Sequence, residues 1–354
     1  MPPPRSEVLG VLPLPPERLY PLLAPDPHES LLLSGGPHPL SRYSYMGLDP
    51  FLVMTAAGNE VMLLSLPRGK AHRLRVDPFD LLQELLQRYR EDPLQDASPF
   101  WGGGIGYFSY ELGRLLERLP GTAQNDLHLP ELYFVFYRSV LAFCHERRTY
   151  RLFGIRLREG EEASGDLRLS RTRKRILAAA TKTGRVAVPR KSTLPLRLRS
   201  HFTPEEYMEA IRKAQRYIVE GDVYQVNLSQ RFQTPYNGDP YGLFLSLYRI
   251  NPAPFFAYLN PGPFQVLSSS PERFLCVRDG AVETRPIKGT LPRGRTPGTD
   301  QANREHLLRS EKNRAELAMI TDLLRNDLGR VCAYGSVLFR DAAALEIYTN
   351  VFHL

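Results

Sequence analysis

The sequence holds no apolar run near the roughly 18 residues that a membrane-spanning helix needs. Cysteine is scarce: Cys144, Cys276 and Cys332 are far apart and odd in number, which excludes a disulfide framework, and no pair has metal-ligand spacing. The start, Met1-Pro2-Pro3-Pro4-Arg5, lacks the apolar core of a signal peptide. Reduced thiols in a cytoplasmic protein are the expectation. The glycines around Gly102-Gly103-Gly104-Ile105-Gly106 lack the following Lys-Ser/Thr of a phosphate-binding loop, so close backbone packing beside aromatics is expected there. No internal repeat is present.

What is there is the balance of a soluble globular protein: 354 residues, 42% hydrophobic and 24% charged. The 31 prolines gather in the first 40 residues and in punctuating turns. The net charge of +8 is local in origin, because the stretch from Arg168 to Arg199 is dense in Arg and Lys and poor in acid. It has no interleaved aromatics, so it reads as a solvated linker or helix face, and neither nucleic acid nor membrane is expected as a partner.

Three regions are expected: 1–155, a basic connection over 156–200, and 201–354. In the first, Leu31–Leu33, Phe51–Met54 and Val61–Leu64 read as strands, Phe79–Tyr89 as an amphipathic helix, and Leu132–Leu141 with Thr149–Ile155 as a strand pair. The connection carries a helix near Ser170–Ala180. In the third region, Thr203-Pro204-Glu205-Glu206 is a capping box opening a helix that Gly221 stops. Alternation over Val223–Phe232 predicts a strand, further strands follow through Thr284 with turns at Pro261-Gly262 and Asp279-Gly280, and one long helix is predicted over Gln301–Leu328. The class is α+β, with antiparallel sheet prevailing.

The hairpin Ser268–Thr290 places Glu272 at the start of one strand and Lys288 just past the end of its partner. A lysine acts as a nucleophile only after losing its proton, and burial or a neighbouring cation such as Arg285 favours that loss. An ordinary surface lysine beside a turn is the plainer alternative. On the long helix, Glu316 has Met319 and Ile320 on its own face, so its carboxylate needs a partner: a bound cation, or Lys312 or Arg314.

The motif Pro286-Ile287-Lys288-Gly289-Thr290 resembles a signature of the chorismate-utilising enzymes. That family includes aminodeoxychorismate synthase component I, anthranilate synthase component I, and the isochorismate and salicylate synthases. Ser41–Gly47, Gly102–Tyr107, Gly221–Leu228, Ser270–Phe274 and Asp322–Asp327 resemble further family motifs in the same order. The resemblance implies antiparallel β-sheets packed as a sandwich and flanked by helices. It implies Lys288 as the nucleophile on the chorismate ring, Glu272 as the acid that protonates the departing hydroxyl, and His353 as an active-site histidine. Thr290 and Gly289 would line the substrate pocket, and Glu316 would bind Mg²⁺. Lysine at position 288, where anthranilate synthases usually have alanine, favours a 4-amino-4-deoxychorismate product for para-aminobenzoate and folate synthesis, and Asn227 agrees.

The resemblance further implies ammonia from a glutamine amidotransferase, and a tryptophan pocket made by Ser34, Asn251, Pro252, Pro254 and Phe255. Feedback-inhibited relatives have glutamate where this chain has Leu33, which argues against regulation by tryptophan. Family members continue for a further hundred-odd residues past Leu354, so a C-terminally truncated chain is expected, lacking a second magnesium glutamate and inactive alone. The alternatives are anthranilate synthase component I, and an inactive module that binds tryptophan or a partner.

Overall fold

A computed structural model describes residues 5–66, 68–92, 94, 97–155, 157, 165–182, 190, 192–340 and 344–354. Two compact units emerge: residues 1–186 with 244–354, and residues 187–243. Parts of the expected basic connection and the N-terminal prolines lie outside the described residues.

The larger unit begins with β1 (Arg5–Gly10), α1 (Pro16–Leu22), β2 (Ser30–Leu33), β3 (Tyr43–Ala57), β4 (Glu60–Ser65), β5 (Lys70–Arg75), α2 (Pro78–Arg88), β6 (Gly103–Phe108), β7 (Leu132–Cys144), β8 (Thr149–Gly154) and α3 (Gly165–Ala180). The smaller unit holds a two-stranded ladder, β9 (Arg199–Ser200) with β10 (Phe232–Gln233), and helix α4 (Pro204–Glu220). Helix α5 (Pro240–Ile250) leads back into the larger unit, which continues with β11 (Phe255–Leu259), β12 (Val266–Ser270), β13 (Arg273–Arg278), β14 (Ala281–Arg285), β15 (Thr290–Pro292), α6 (Pro297–Arg309), α7 (Glu311–Gly329), β16 (Glu346–Ile347) and β17 (Val351–His353).

Ten strands form one sheet in which every described pairing is antiparallel. Its spine is β3 paired with β7, and each strand serves two partners in turn along its far edge. The first half of β3 pairs with β2 and the second half with β4, while β7 pairs first with β6 and then with β8. The pairing slips between Pro50 and Leu52, so Phe51 is the extra residue of a bulge that bends the spine. Val53, Ile105 and Val135 from one arm share a core cluster with Leu259, Ala257 and Val266 from the other, so the expected sandwich is one sheet folded over itself. Phe136, Val135 and Leu132 are fully buried on this spine, and each such side chain contributes about 1.5–3 kcal/mol of transfer free energy. A side chain at Gly106 would start 2.0 Å from the Tyr133 carbonyl oxygen, so the glycine run serves strand approach, as expected.

Helix α3 presents a solvated basic face in Arg171, Arg173 and Lys174, as expected, but turns two arginines inward. Arg175 makes a bidentate pair with Glu29 at 2.7 and 2.6 Å, and Glu29 is 1% exposed. The same carboxylate accepts the Asp26 and Asp49 amide hydrogens, while Arg168 approaches Asp49 at 3.4 Å. Two arginines of the helix therefore hold the bent part of the sheet through the buried Glu29 and the half-buried Asp49.

Two other expectations are corrected. Residues 223–231 form no strand, because among the described residues only Phe232 and Gln233 find a neighbouring strand there. Alternation makes a strand possible, but a ladder needs a partner. The single helix over Gln301–Leu328 is two, α6 and α7, broken at Ser310. Its backbone is extended (φ −64°, ψ 105°) and its side chain accepts the Asn313 amide hydrogen. The capping box at Thr203, the Gly221 stop and the turns at Pro261-Gly262 and Asp279-Gly280 fall where expected.

Candidate active site

Strands β13 and β14 form a hairpin whose open end pairs Arg273 with Arg285. Glu272 immediately precedes that pair, and its Oε1 accepts the Ile287 amide hydrogen at 3.0 Å. Pro286 ends the ladder, having no amide hydrogen to give. Lys288 then donates its amide hydrogen to the Leu354 carbonyl at 2.8 Å, and the Leu354 amide returns to the carbonyls of Lys288 (3.2 Å) and Gly289 (3.3 Å). Two residues thus oppose one, a bulge made possible by Gly289 at φ +75°. A side chain there would stand 3.0 Å from Asn313 and 3.2 Å from Leu307. Lys288 is half-buried, and among the described residues its ammonium has no hydrogen-bond or ion-pair partner.

Past the bulge, β15 pairs with β17, which sets Thr290 opposite His353. The Thr290 hydroxyl lies 2.8 Å from His353 Nδ1. Burial holds the His353 imidazole below its ordinary value of 6.5, against the opposing pull of the Gly289 backbone and the carboxylates of Glu346 and Glu272. Lys288, Gly289, Thr290, His353 and Glu272 are therefore brought to one place by the hairpin end and the β15–β17 ladder. Glu272 itself is exposed, and its carboxylate's bond to Ile287 and its amide's bond to the Ser270 hydroxyl at 3.1 Å fix it.

Sequence reasoning missed the group behind this cluster. Glu346, opposite His353 on β16, accepts Arg285 at 2.9 Å on one oxygen and the Tyr348 hydroxyl at 2.8 Å on the other. Arg285 is therefore committed to Glu346 and is not the spare cation expected beside Lys288. The signal available was Glu346 two residues from Tyr348 in extended chain, a spacing that puts both on one side.

Glu316 is half-buried on α7, whose Leu317 packs with Leu307, Phe352 and Leu354 beneath the ladder. Among the described residues no three His, Cys, Asp or Glu side chains gather as a metal site. Mg²⁺ is held by one or two carboxylates, with water and substrate oxygens completing six ligands, so Glu316 would supply one of them.

The residues expected at a tryptophan pocket also come together. Ser34 donates its hydroxyl to the Pro254 carbonyl at 2.6 Å, and Gly35 donates its amide to Ala253 at 3.1 Å. A side chain at Gly36 would meet the Pro252 carbonyl at 2.8 Å. Asn251 Oδ1 is buried without a hydrogen-bond partner among the described residues, and the Arg273 guanidinium lies 5.6 Å from the Phe255 ring. Leu33, just before Ser34, is buried in the sheet.

A family described as chorismate binding enzyme matches residues 30–354. The chain belongs to the chorismate-binding enzyme family. Within that family it is 37% identical over 330 residues to aminodeoxychorismate synthase component 1 of Escherichia coli (strain K12), covering 93% of this chain and 69% of the relative. It is 33% identical to anthranilate synthase component 1 of Acetivibrio thermocellus, covering 89% of this chain and 65% of that one. Among solved structures, anthranilate synthase component I from Streptococcus pneumoniae TIGR4 superposes with a TM-score of 0.72 at 25% identity, covering 91% of this chain and 70% of that chain. The chain thus spans about two thirds of the length of its chorismate-binding relatives. No described helix is long and apolar enough to cross a membrane.

Proposed function

We propose that this chain is the chorismate-converting part of an aminodeoxychorismate synthase, with Lys288 as a covalent nucleophile. The observation that carries the reading is Lys288, whose half-buried side chain has no partner among the described residues and whose backbone is held by Leu354 at the Gly289 bulge, near His353 and Glu272 in the fold. The Lys288 amine attacks ring carbon 2 of chorismate, the double bonds shift, and the hydroxyl leaves carbon 4 as water with a proton from Glu272. Ammonia then attacks carbon 4, the double bonds shift back, and the lysine amine leaves carbon 2. The net change is chorismate plus ammonia to 4-amino-4-deoxychorismate plus water. Hydroxide is a poor leaving group, so the proton donor is essential to the first half. Ammonia would come from a glutamine amidotransferase, as in the resemblance on which this reading draws.

A second reading has its own support: the chain is 39% identical over 284 residues to anthranilate synthase component 1 of Thermus thermophilus. In that case ammonia attacks carbon 2 directly and Lys288 is a bystander. Incubating the full chain with chorismate and ammonium, with and without added Mg²⁺, and separating the products distinguishes the two. Aminodeoxychorismate supports the first reading; anthranilate as sole product rejects it.

A further inference from the structure

Through Arg285 and His38, Glu346 joins its own segment to two others that are remote in sequence. Arg285, three residues before Lys288, binds its Oε1 at 2.9 Å. Tyr348 gives its hydroxyl hydrogen to Oε2 at 2.8 Å, and the same hydroxyl lies 3.4 Å from the carbonyl of Pro271, the neighbour of Glu272. A hydroxyl has one proton, so the shorter contact to Glu346 is the bond. From the loop after β2, His38 Nε2 reaches Oε2 at 3.4 Å.

His38 is held from both sides of its ring. Nδ1 accepts the Leu40 amide hydrogen at 3.1 Å, which leaves Nε2 as the nitrogen that faces Glu346. His38 also lies flat on Tyr348, with centroids 5.2 Å apart and planes 14° from parallel. Tyr348 in turn sets its ring against His353 at 5.2 Å and 75°. Burial works to raise the Glu346 carboxyl, but the His38 and Tyr348 hydrogen bonds and the Arg285 charge outweigh it, and the group lies below its ordinary 4.5.

A carboxylate with 15% side-chain exposure is costly to desolvate, and this one is ringed by Arg285, Tyr348 and His38. Arg285 lies three residues before Lys288, Tyr348 lies five before His353 and near Pro271, the neighbour of Glu272, and Glu346 pairs in register with His353. We propose that Glu346, oriented by His38, is a positioning residue that holds Lys288 and His353 in their mutual geometry for reaction with chorismate. The proposal rests on the reading of this site as a chorismate-converting centre.

The test compares Glu346→Gln, His38→Ala and His38→Gln in the full chain, the last keeping an N–H donor at similar reach. Misplacement of reacting groups falls on kcat more than on KM. Glu346→Gln is expected to lower kcat about tenfold or more with KM for chorismate within about threefold. His38→Ala is expected to lower kcat about fivefold, and His38→Gln to restore most of it. Wild-type kcat in Glu346→Gln, or losses that only track the folded fraction in thermal melts, overturns the proposal. If the wild-type chain converts no chorismate, as the resemblance implies for this chain alone, turnover decides neither claim. The positioning claim is then decided by the His353 ring resonance in nitrogen-15 spectra, assigned with His353→Asn. Glu346→Gln must shift it and His38→Gln must not; an unmoved resonance under Glu346→Gln overturns the claim.

Discussion

Glu272 Oε1 accepts the Ile287 amide hydrogen across 3.0 Å, which ties the proposed proton donor to the backbone one residue ahead of the proposed nucleophile. The link runs through the chain and not between the two side chains, so the two can be substituted separately. Lys288→Ala should abolish aminodeoxychorismate formation while leaving the fold intact, with anthranilate as the product that grows in its place. Intact-protein mass after quenching with chorismate should show an adduct on the wild type and none on the variant. Unchanged product and rate in Lys288→Ala would end the covalent mechanism.

Glu272→Gln keeps the bond to Ile287 but has no proton to give. Loss of a general acid costs about 10² or more in rate. A drop of that size in kcat, with the melting temperature unchanged, is expected; parity with the wild type would remove Glu272 from the chemistry.

Gly289→Ala tests the bulge. A non-glycine residue in the left-handed region costs about 1–2 kcal/mol, and the new methyl would also press on Asn313 at 3.0 Å. Urea unfolding should show a loss of that size or slightly more. Gly280→Asn, at φ +75° in an open turn, should cost less, since asparagine tolerates that region and no atom stands within 4 Å.

Acidification should weaken the fold in a defined window. Burial holds His28, His145 and His353 below the ordinary 6.5. The unfolded chain therefore binds protons at a higher pH than the folded one. The stability these groups contribute is complete above about pH 6.5 and is lost as pH falls through their folded values. Glu346, also lowered, adds a loss of the same sign as pH falls below 4.5 and through its folded value. Urea midpoints measured between about pH 8 and about pH 5 should decline, and less steeply in His353→Asn. A midpoint that climbs on acidification would contradict the assignment.

Arg175→Met leaves Glu29 charged, 1% exposed and without its bidentate partner. Breaking a buried pair from one side costs about 3–5 kcal/mol. Replacing both, as Arg175→Met with Glu29→Leu, should recover part of that loss in the same denaturation assay.

Local signals carried the fold further than the site. Apolar runs bounded by turns marked β2, β4, β7 and β8, and helical spacing marked α2, because apolar residues gather where an element is buried, on both faces for β7. The break at Ser310 was hidden because no glycine or proline marks it between Gln301 and Leu328, and a serine cap differs from a mid-helix serine only in backbone conformation. At the site, Glu272 and Lys288 were legible since one hairpin brings them together. Glu346 and His38 were not, because their meeting joins residues 308 positions apart and no local pattern encodes it. Arg175 was missed for the same reason: its partner Glu29 lies 146 residues away.

Because β3 and β7 each lend hydrogen bonds to both arms of the folded sheet, neither arm is a cassette that could be traded between relatives. Severing either strand would orphan ladders on both sides at once. Divergence is therefore channelled outward, to the Asp279-Gly280 turn and the exposed run 121–129, where an insertion meets only solvent.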